Sequence, residues 1–216
     1  NTRTYASPPG FVHTSYALAS GSFTPSDTPP PSMFRKHPEW FWPHNDSAAR
    51  GQLCWTNPEL VSFLKTQVRA ALEMAVKKGG KLPDIISVSQ NDNENYCKDP
   101  AELTVIAEEG SPIGPLLRAV NAIADDIADD YPSVAVDTLA YQYTRPAPKL
   151  TRPRKNVIVR LCSIECNFAL PLTDVSNAAF QTDITDWAKL TNRTYIWDYV
   201  TNFGNYLAPF PNYYVL

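Results

Sequence analysis

The sequence predicts an α/β fold: a parallel sheet with helices on its outside, read as a (β/α) barrel of the TIM type that is partial in this chain. Three observations carry this expectation. Runs with helical apolar spacing alternate with short β-rich runs in the order β-α-β-α-β-β-α-β, and such alternation places helices outside a parallel sheet. No Gly-x-Gly-x-x-Gly or Walker pattern follows any of the roughly six strand candidates, which disfavours a nucleotide-binding open sheet. The chain has 216 residues, whereas a closed eight-stranded barrel typically takes about 250.

The elements follow in order. Residues 1–50 form a Pro- and aromatic-rich loop region with one short strand candidate at 11–14, and the regular β/α part covers 51–216 of a single domain. Residues 52–55 are an apolar run read as the second strand. Asn57, Pro58 and Glu59 then open a helix over 58–78, with Asn as N-cap, Pro in the first turn and an acid near the positive helix end. Gly79-Gly80 stops it. A third strand is expected within 84–90, around Ile85-Ile86-Ser87-Val88, followed by a helix over 113–130 with one apolar face. Strands are expected over 134–143, 156–162 and 194–199, with a helix over 176–190 between the last two. The end of the chain is again aromatic and Pro-rich.

Composition narrows the class. The hydrophobic share of 44% supports a real core. A net charge of −3, with the densest basic stretch confined to the Pro-rich loop 145–155, argues against a nucleic-acid partner. No apolar run approaches the roughly 20 residues of a membrane span. Twenty prolines and four cysteines (Cys54, Cys97, Cys162, Cys166) fit a secreted or cell-surface protein held by at least one disulfide. Four cysteines permit three pairings, and all three stay open. The sequons at Asn45 and Asn192 are candidate glycosylation sites, with Asn45 favoured because it sits in a polar loop. The N-terminus has neither an initiating Met nor an apolar leader, as expected of a mature or excised piece. No metal or cofactor is expected: Cys-x-x-Cys, His-Glu-x-x-His, Gly-x-Ser-x-Gly and EF-hand patterns are all missing.

In a barrel, the loops after the strand C-termini hold the site. Those positions give His13; Trp55 and Asn57; Gln90, Asn91, Asp92 and Glu94; Tyr141; Glu165 and Asn167; and Trp197, Asp198 and Tyr199. Aromatic rings stack on pyranose faces, and amides and carboxylates bond sugar hydroxyls. Glycoside hydrolysis needs two carboxyl groups, one as acid and one as base or nucleophile. The candidates are Asp92 or Glu94 as acid, opposed by Glu165 or Asp198. Each also has a structural reading: the 91–95 stretch as an Asx-turn loop, Glu165 as the partner of a strand-end Arg, Asp198 as a cap. The run Trp40-Phe41-Trp42 is read as packing against a helix more than as a sugar platform, and Asp125, Asp126, Asp129 and Asp130 as a solvated face.

Several strings at these positions carry a resemblance: His37-Pro38-Glu39-Trp40-Phe41, Gln52 to Glu59, Ser87-Val88-Ser89-Gln90-Asn91-Asp92, Arg160 to Ala169, and Trp197-Asp198-Tyr199. In order and spacing they resemble a broad family of glycoside-hydrolase-like proteins catalogued as a domain of unknown function. That family is distantly related to α-glucuronidase and β-hexosaminidase barrels. The resemblance runs from about residue 10 to the C-terminus and implies a (β/α)₈ barrel acting on, or derived from one acting on, glycans. Asp92 is the position it carries over. The family's Cys-x-Cys after this string is met by Cys97, with Asp99 at the second position. Relatives hold further strands on both sides.

Two functions follow as expectations. One is a secreted glycoside hydrolase. The other is a non-catalytic structural or glycan-binding barrel unit of a larger extracellular assembly, in which the remaining barrel segments or a partner chain cover the open strand edges. An open-sheet small-molecule binder is a third reading.

Overall fold

The computed structural model describes residues 3–210. The expected Pro- and Tyr-rich ending at 211–216 lies outside the described residues. Four parallel strands form one sheet in chain order: β1 (Ile85–Ser87), β2 (Ala135–Ala140), β3 (Val157–Cys162) and β4 (Thr194–Trp197). The register pairs Ile86 with Val136, Asp137 with Ile158, and Arg160 with Tyr195. Beyond β1, Tyr5 makes a single parallel bridge to Ile85.

Among the described residues six helices accompany the sheet: α1 (Ser15–Ala19), α2 (Pro31–Lys36), α3 (Pro58–Gly79), α4 (Pro100–Glu109), α5 (Ile113–Ile127) and α6 (Ala178–Leu190). α3 begins where its signals place it. The Asn57 side chain accepts from the amides of Glu59 and Leu60, and Gly80 closes the helix at φ 71°, a conformation that costs glycine little. α5 stops at Ile127, three residues short of the expectation, as the chain turns toward Pro132. α6 starts two residues late, because a 3-10 turn at Val175–Asn177 takes its first positions. α4 is an addition to the expected elements.

Strand alternation decides where the core sits. Ile86, Val136, Val157, Val159 and Leu161 join Leu64 of α3, Leu117 and Val120 of α5 and Trp187 of α6 in the main core. The intervening residues point to the other face and form layers. Ile85, Ala135 and Ile158 pack with Tyr5 near the strand N-termini. Leu139, Tyr141 and Cys162 pack with Val12, Trp197 and Tyr199 near the C-termini. Between the two lies a polar layer of buried Ser87, Asp137 and Arg160. Arg160 Nη2 donates to Asp137 Oδ1 at 3.1 Å, and also to the Phe11 carbonyl. Its guanidinium carbon lies 5.4 Å from the Tyr5 ring and 5.3 Å from the Trp197 ring. The N-terminal segment therefore lies across the face of the sheet that carries no helix.

Two expected strands are not strands. Residues 11–14 are a bend: His13 takes φ 52°, Gly10 takes φ 105°, and α1 starts directly after. The edge position beside β1 belongs to Thr4–Ala6 instead, with the Ala6 amide donating to Ile85 O at 2.8 Å. Residues 52–55 pair with the 40–42 loop, Leu53 bridging Phe41 in antiparallel fashion. This small hairpin lies off the main sheet and buries Trp40, whose ring centroid is 5.2 Å from that of Phe63 on α3. Cys54 in this hairpin bonds Cys97 in the loop after β1, and Cys162 and Cys166 are free thiols. The acidic face of α5 is partly answered from α3: Arg69 bonds Asp126 at 2.7 Å and Asp130 at 2.6 Å. Among the described residues no helix is long and apolar enough to cross a membrane.

Candidate functional site

At the C-terminal end of the sheet, on its helix-free face, a cleft of about 310 Å³ opens above the upper apolar layer. Its lining comes from the ends of β2, β3 and β4 and from two loops. Tyr141, Cys162, Trp197 and Tyr199 supply the sheet side, His13 and Asp92 the loops, and Val12, Leu139, Ile164 and Phe203 the apolar remainder.

The polar residues are held from behind. Gln90 is buried, and its Nε2 donates to the Tyr141 carbonyl at 2.9 Å while its Oε1 accepts from the Thr144 hydroxyl at 2.9 Å. The Gln90 carbonyl lies 2.9 Å from His13 Nδ1. One glutamine thus fixes both the turn after β2 and the His13 bend. Asn91 anchors the loop to the hairpin, donating to the Gly51 carbonyl and accepting from the Ser15 hydroxyl at 2.7 Å. These fixed ends leave the Asp92 side chain exposed at the rim, where its Oδ1 accepts from the Tyr141 hydroxyl at 2.9 Å. His13 (φ 52°) and Gln142 (φ 50°) both adopt the left-handed region beside the cleft, a strained choice for a residue with a side chain.

The protonation chemistry of the lining is one-sided. Burial, followed by Asp92, raises the Tyr141 phenol above its ordinary value. Burial, followed by Cys162, does the same for Tyr199. Burial pushes the Cys162 thiol up to about 12, although Arg160 pulls the other way. At neutral pH the cleft therefore offers two phenolic hydroxyls and a thiol, beside the Asp92 carboxyl group and the His13 ring, in an otherwise apolar, aromatic wall.

Asp92, Glu165 and Asp198 all follow strand C-termini, yet of the four candidate carboxylates only Asp92 lines this cleft. Glu94 is exposed in the same loop. Glu165 pairs with Arg145 at 2.6 Å, and Arg145 is shared with Asp183 at 2.5 Å. Asp198 accepts from the Ser163 hydroxyl at 2.8 Å and borders a shallower depression beside Arg160. His13, Tyr141, Trp197 and Tyr199 reach the cleft. Trp55 lies in the core, Asn57 caps α3, and Gln90 and Asn91 act as the internal ties just described. Asn167 closes a turn, its amide donating to Asn177 Oδ1 at 2.7 Å. Asn45 and Asn192 are both exposed.

Cys162 is the lining residue that sequence reasoning treated only as a cysteine to be paired. Its place as the last residue of a strand, in the register that also exposes Arg160 to the helix-free face, is the signal that could have found it. Val12, Leu139, Ile164 and Phe203 carry no such signal. One group of potential metal ligands, His44, Cys54 and Asp99, is reduced to two because the Cys54 sulfur is committed to Cys97. His44 Nε2 instead meets Asp99 at 2.7 Å.

No curated protein and no solved structure matches the chain. A family model does: residues 2–216 match the Domain of unknown function (DUF4838), and the chain belongs to that family.

Proposed function

We propose that the chain is a secreted, glycoside-hydrolase-like unit that binds a glycan in the cleft at the strand C-termini, and that its sheet is one side of a (β/α) barrel. The observation that carries the glycan reading is the make-up of the cleft: Trp197, Tyr141 and Tyr199 rings beside a single carboxylate, Asp92, that is already hydrogen-bonded by one of them. Flat rings receive the C–H faces of a pyranose, and a carboxylate with free acceptor capacity takes its hydroxyls. The barrel reading is supported by strands running parallel in chain order and by α3, α5 and α6 all packing into one core on the same face. The secretion reading is supported by the disulfide and by two exposed sequons.

Binding without hydrolysis is the form this cleft favours, because the second carboxylate needed for hydrolysis is not in its lining. Hydrolysis is the second reading, favoured by Glu165 and Asp198 standing at the same end of the sheet. The test is a titration of neutral and acidic oligosaccharides followed by tryptophan fluorescence, run beside an assay for released reducing ends. Saturable binding that Trp197→Ala and Asp92→Asn each weaken supports the reading. Binding unaffected by both variants, or none across the panel, overturns it. Product release separates hydrolase from binding unit.

A further inference from the structure

A second cleft, of about 440 Å³, opens at the opposite end of the sheet on the same helix-free face. Its floor is Ile85 and Ile158 of the lower apolar layer, its walls are the Tyr5 and Tyr195 rings, its charged rim is Arg3 and Arg193, and the sequon residues Asn192 and Thr194 complete the lining, so that a glycan on Asn192 would stand at its mouth. The charge balance here is unlike that of the molecule. The chain carries a net −3, and its candidate-site carboxylates stand at the other end. Among the described residues neither Arg3 nor Arg193 is in an ion pair.

The nearby acids are already engaged. Asp84 accepts from the Thr4 amide at 2.7 Å and the Thr4 hydroxyl at 2.9 Å; Lys81 and Arg3 act on its carboxylate through space, after those hydrogen bonds, and neither pairs with it. Asp137, one layer above, takes Arg160 and both wall hydroxyls, Tyr5 at 2.8 Å and Tyr195 at 3.2 Å. Arg193 spends one donor on the Lys155 carbonyl at 2.7 Å, which leaves the rest of its fork. Burial, and then the like charge of Arg3, lower the pKa of Arg193. Two guanidinium groups that repel each other across an aromatic-walled cleft form a receptor for an anion, since arginine matches planar or tetrahedral oxyanions with paired donors. The volume lies within the range of small-molecule sites.

We propose that this cleft binds a small oxyanion carried on a flat apolar body, with Arg3 and Arg193 holding the anion and Tyr5 and Tyr195 flanking the body. The inference is independent of the glycan reading, because it uses the other end of the sheet and none of the same residues.

The experiment is calorimetric titration of the whole chain, produced without glycosylation at Asn192, with phenyl phosphate, benzoate, inorganic phosphate and benzyl alcohol. Saturable binding of phenyl phosphate or benzoate is expected, with inorganic phosphate weaker and benzyl alcohol silent. Phenyl phosphate against benzoate tells a phosphate source from a carboxylate source. Arg3→Gln and Arg193→Gln should each weaken binding about tenfold, the loss of a charge-assisted contact. Asp92→Asn should leave it unchanged. Among the described residues Arg3→Gln removes no side-chain hydrogen bond, so it remains decisive if Arg193→Gln perturbs the Lys155 turn. Arg3→Gln binding as tightly as wild type, inorganic phosphate matching phenyl phosphate, or no binding by either aryl anion would overturn the proposal.

Discussion

The Arg160 guanidinium meets the Asp137 carboxylate at two points inside the helix-free face, Nη2 to Oδ1 at 3.1 Å and Nε to Oδ2 at 2.8 Å, with both side chains almost wholly out of solvent. Asp137→Ala leaves a buried cation without its partner, so stability should fall by about 3–5 kcal/mol. The double variant Asp137→Leu/Arg160→Met should recover most of that loss, because removing both charges removes the desolvation problem as well. Urea unfolding of the three proteins checks this. An Asp137→Ala protein as stable as wild type would mean that water reaches the pair. Because Arg160 also lies under the Trp197 ring, the single variant should shift tryptophan emission.

Thiol chemistry should divide the four cysteines two and two. Cys54 and Cys97 are bonded across 43 residues, and a cross-link of that span is worth about 4 kcal/mol in the chain-entropy picture. Cys162 and Cys166 are thiols whose burial pushes them up to about 12 and about 11, so little of either is thiolate at neutral pH. A thiol reagent should therefore find two groups in denaturant without reductant, react slowly with the native protein, and find four after reduction. Reduction should also lower the thermal midpoint. Zero or four thiols in the unreduced, denatured chain would contradict the pairing.

Glu102 on α4 ties that helix to the hairpin, accepting from the Thr56 amide at 2.9 Å and hydroxyl at 2.8 Å and from the Trp55 amide at 3.3 Å. Burial raises its carboxyl group to about 7 against an ordinary 4.5, with the hydrogen bonds opposing and Asp99 adding. Between those two values the unfolded chain has lost a proton that the native chain keeps. The native state thus binds more protons, and stability falls as pH rises through the window, by up to about 3 kcal/mol. His44, raised by Asp99 and its carbonyl contacts against burial, changes stability in the same direction, so Glu102→Gln is needed to isolate the effect. Denaturant midpoints from pH 4.5 to 7.5 should decline more steeply for wild type than for Glu102→Gln. Parallel curves would mean that Glu102 does not titrate there.

The helices were the most legible part of the sequence, and the reason is local. Asn57-Pro58 and Gly79-Gly80 act through their own backbone positions, so they set α3 without help from the rest of the fold. The strands β1 to β3 were legible because their apolar runs are buried on both faces, whereas β4, half exposed, was legible from its run of β-branched and aromatic residues, Thr194 to Trp197. Residues 11–14 and 52–55 carry similar apolar runs, but their pairing is decided by partners distant in sequence, Gln90 for the first and the 40–42 loop for the second. The cleft was half legible for the same reason. Asp92 and Tyr141 could be placed at strand ends, whereas Trp55, equally aromatic, went to the core because its hairpin never joined the sheet. Cys162 was hidden because a strand-end thiol looks the same whether it will pair or line a wall.

Asn57 holds the start of a helix, whereas Asp92 stands at the rim of the cleft. The sequence marks Asn57 and Asp92 alike as site residues, but the Asn57 side chain is spent on the Glu59 and Leu60 amides, while the Asp92 carboxylate accepts from the Tyr141 hydroxyl at the cleft rim. Asn57→Ala should cost about 1 kcal/mol of stability and leave carbohydrate binding as in wild type. Asp92→Asn should do the reverse. It keeps an acceptor for Tyr141 and an exposed position, so unfolding is unchanged, but it removes the one carboxylate in the lining. If the unit hydrolyses its glycan, kcat should drop on the order of 100–10,000-fold with little change in KM, because an acid or base acts in the transition state. If the unit only binds, affinity alone should fall, by about tenfold for a lost charged hydrogen bond. Full turnover by Asp92→Asn would move the search for an acid to Glu94 or Glu165. Weakened binding by Asn57→Ala, at unchanged affinity for Asp92→Asn, would place the ligand by the start of α3 instead of the cleft.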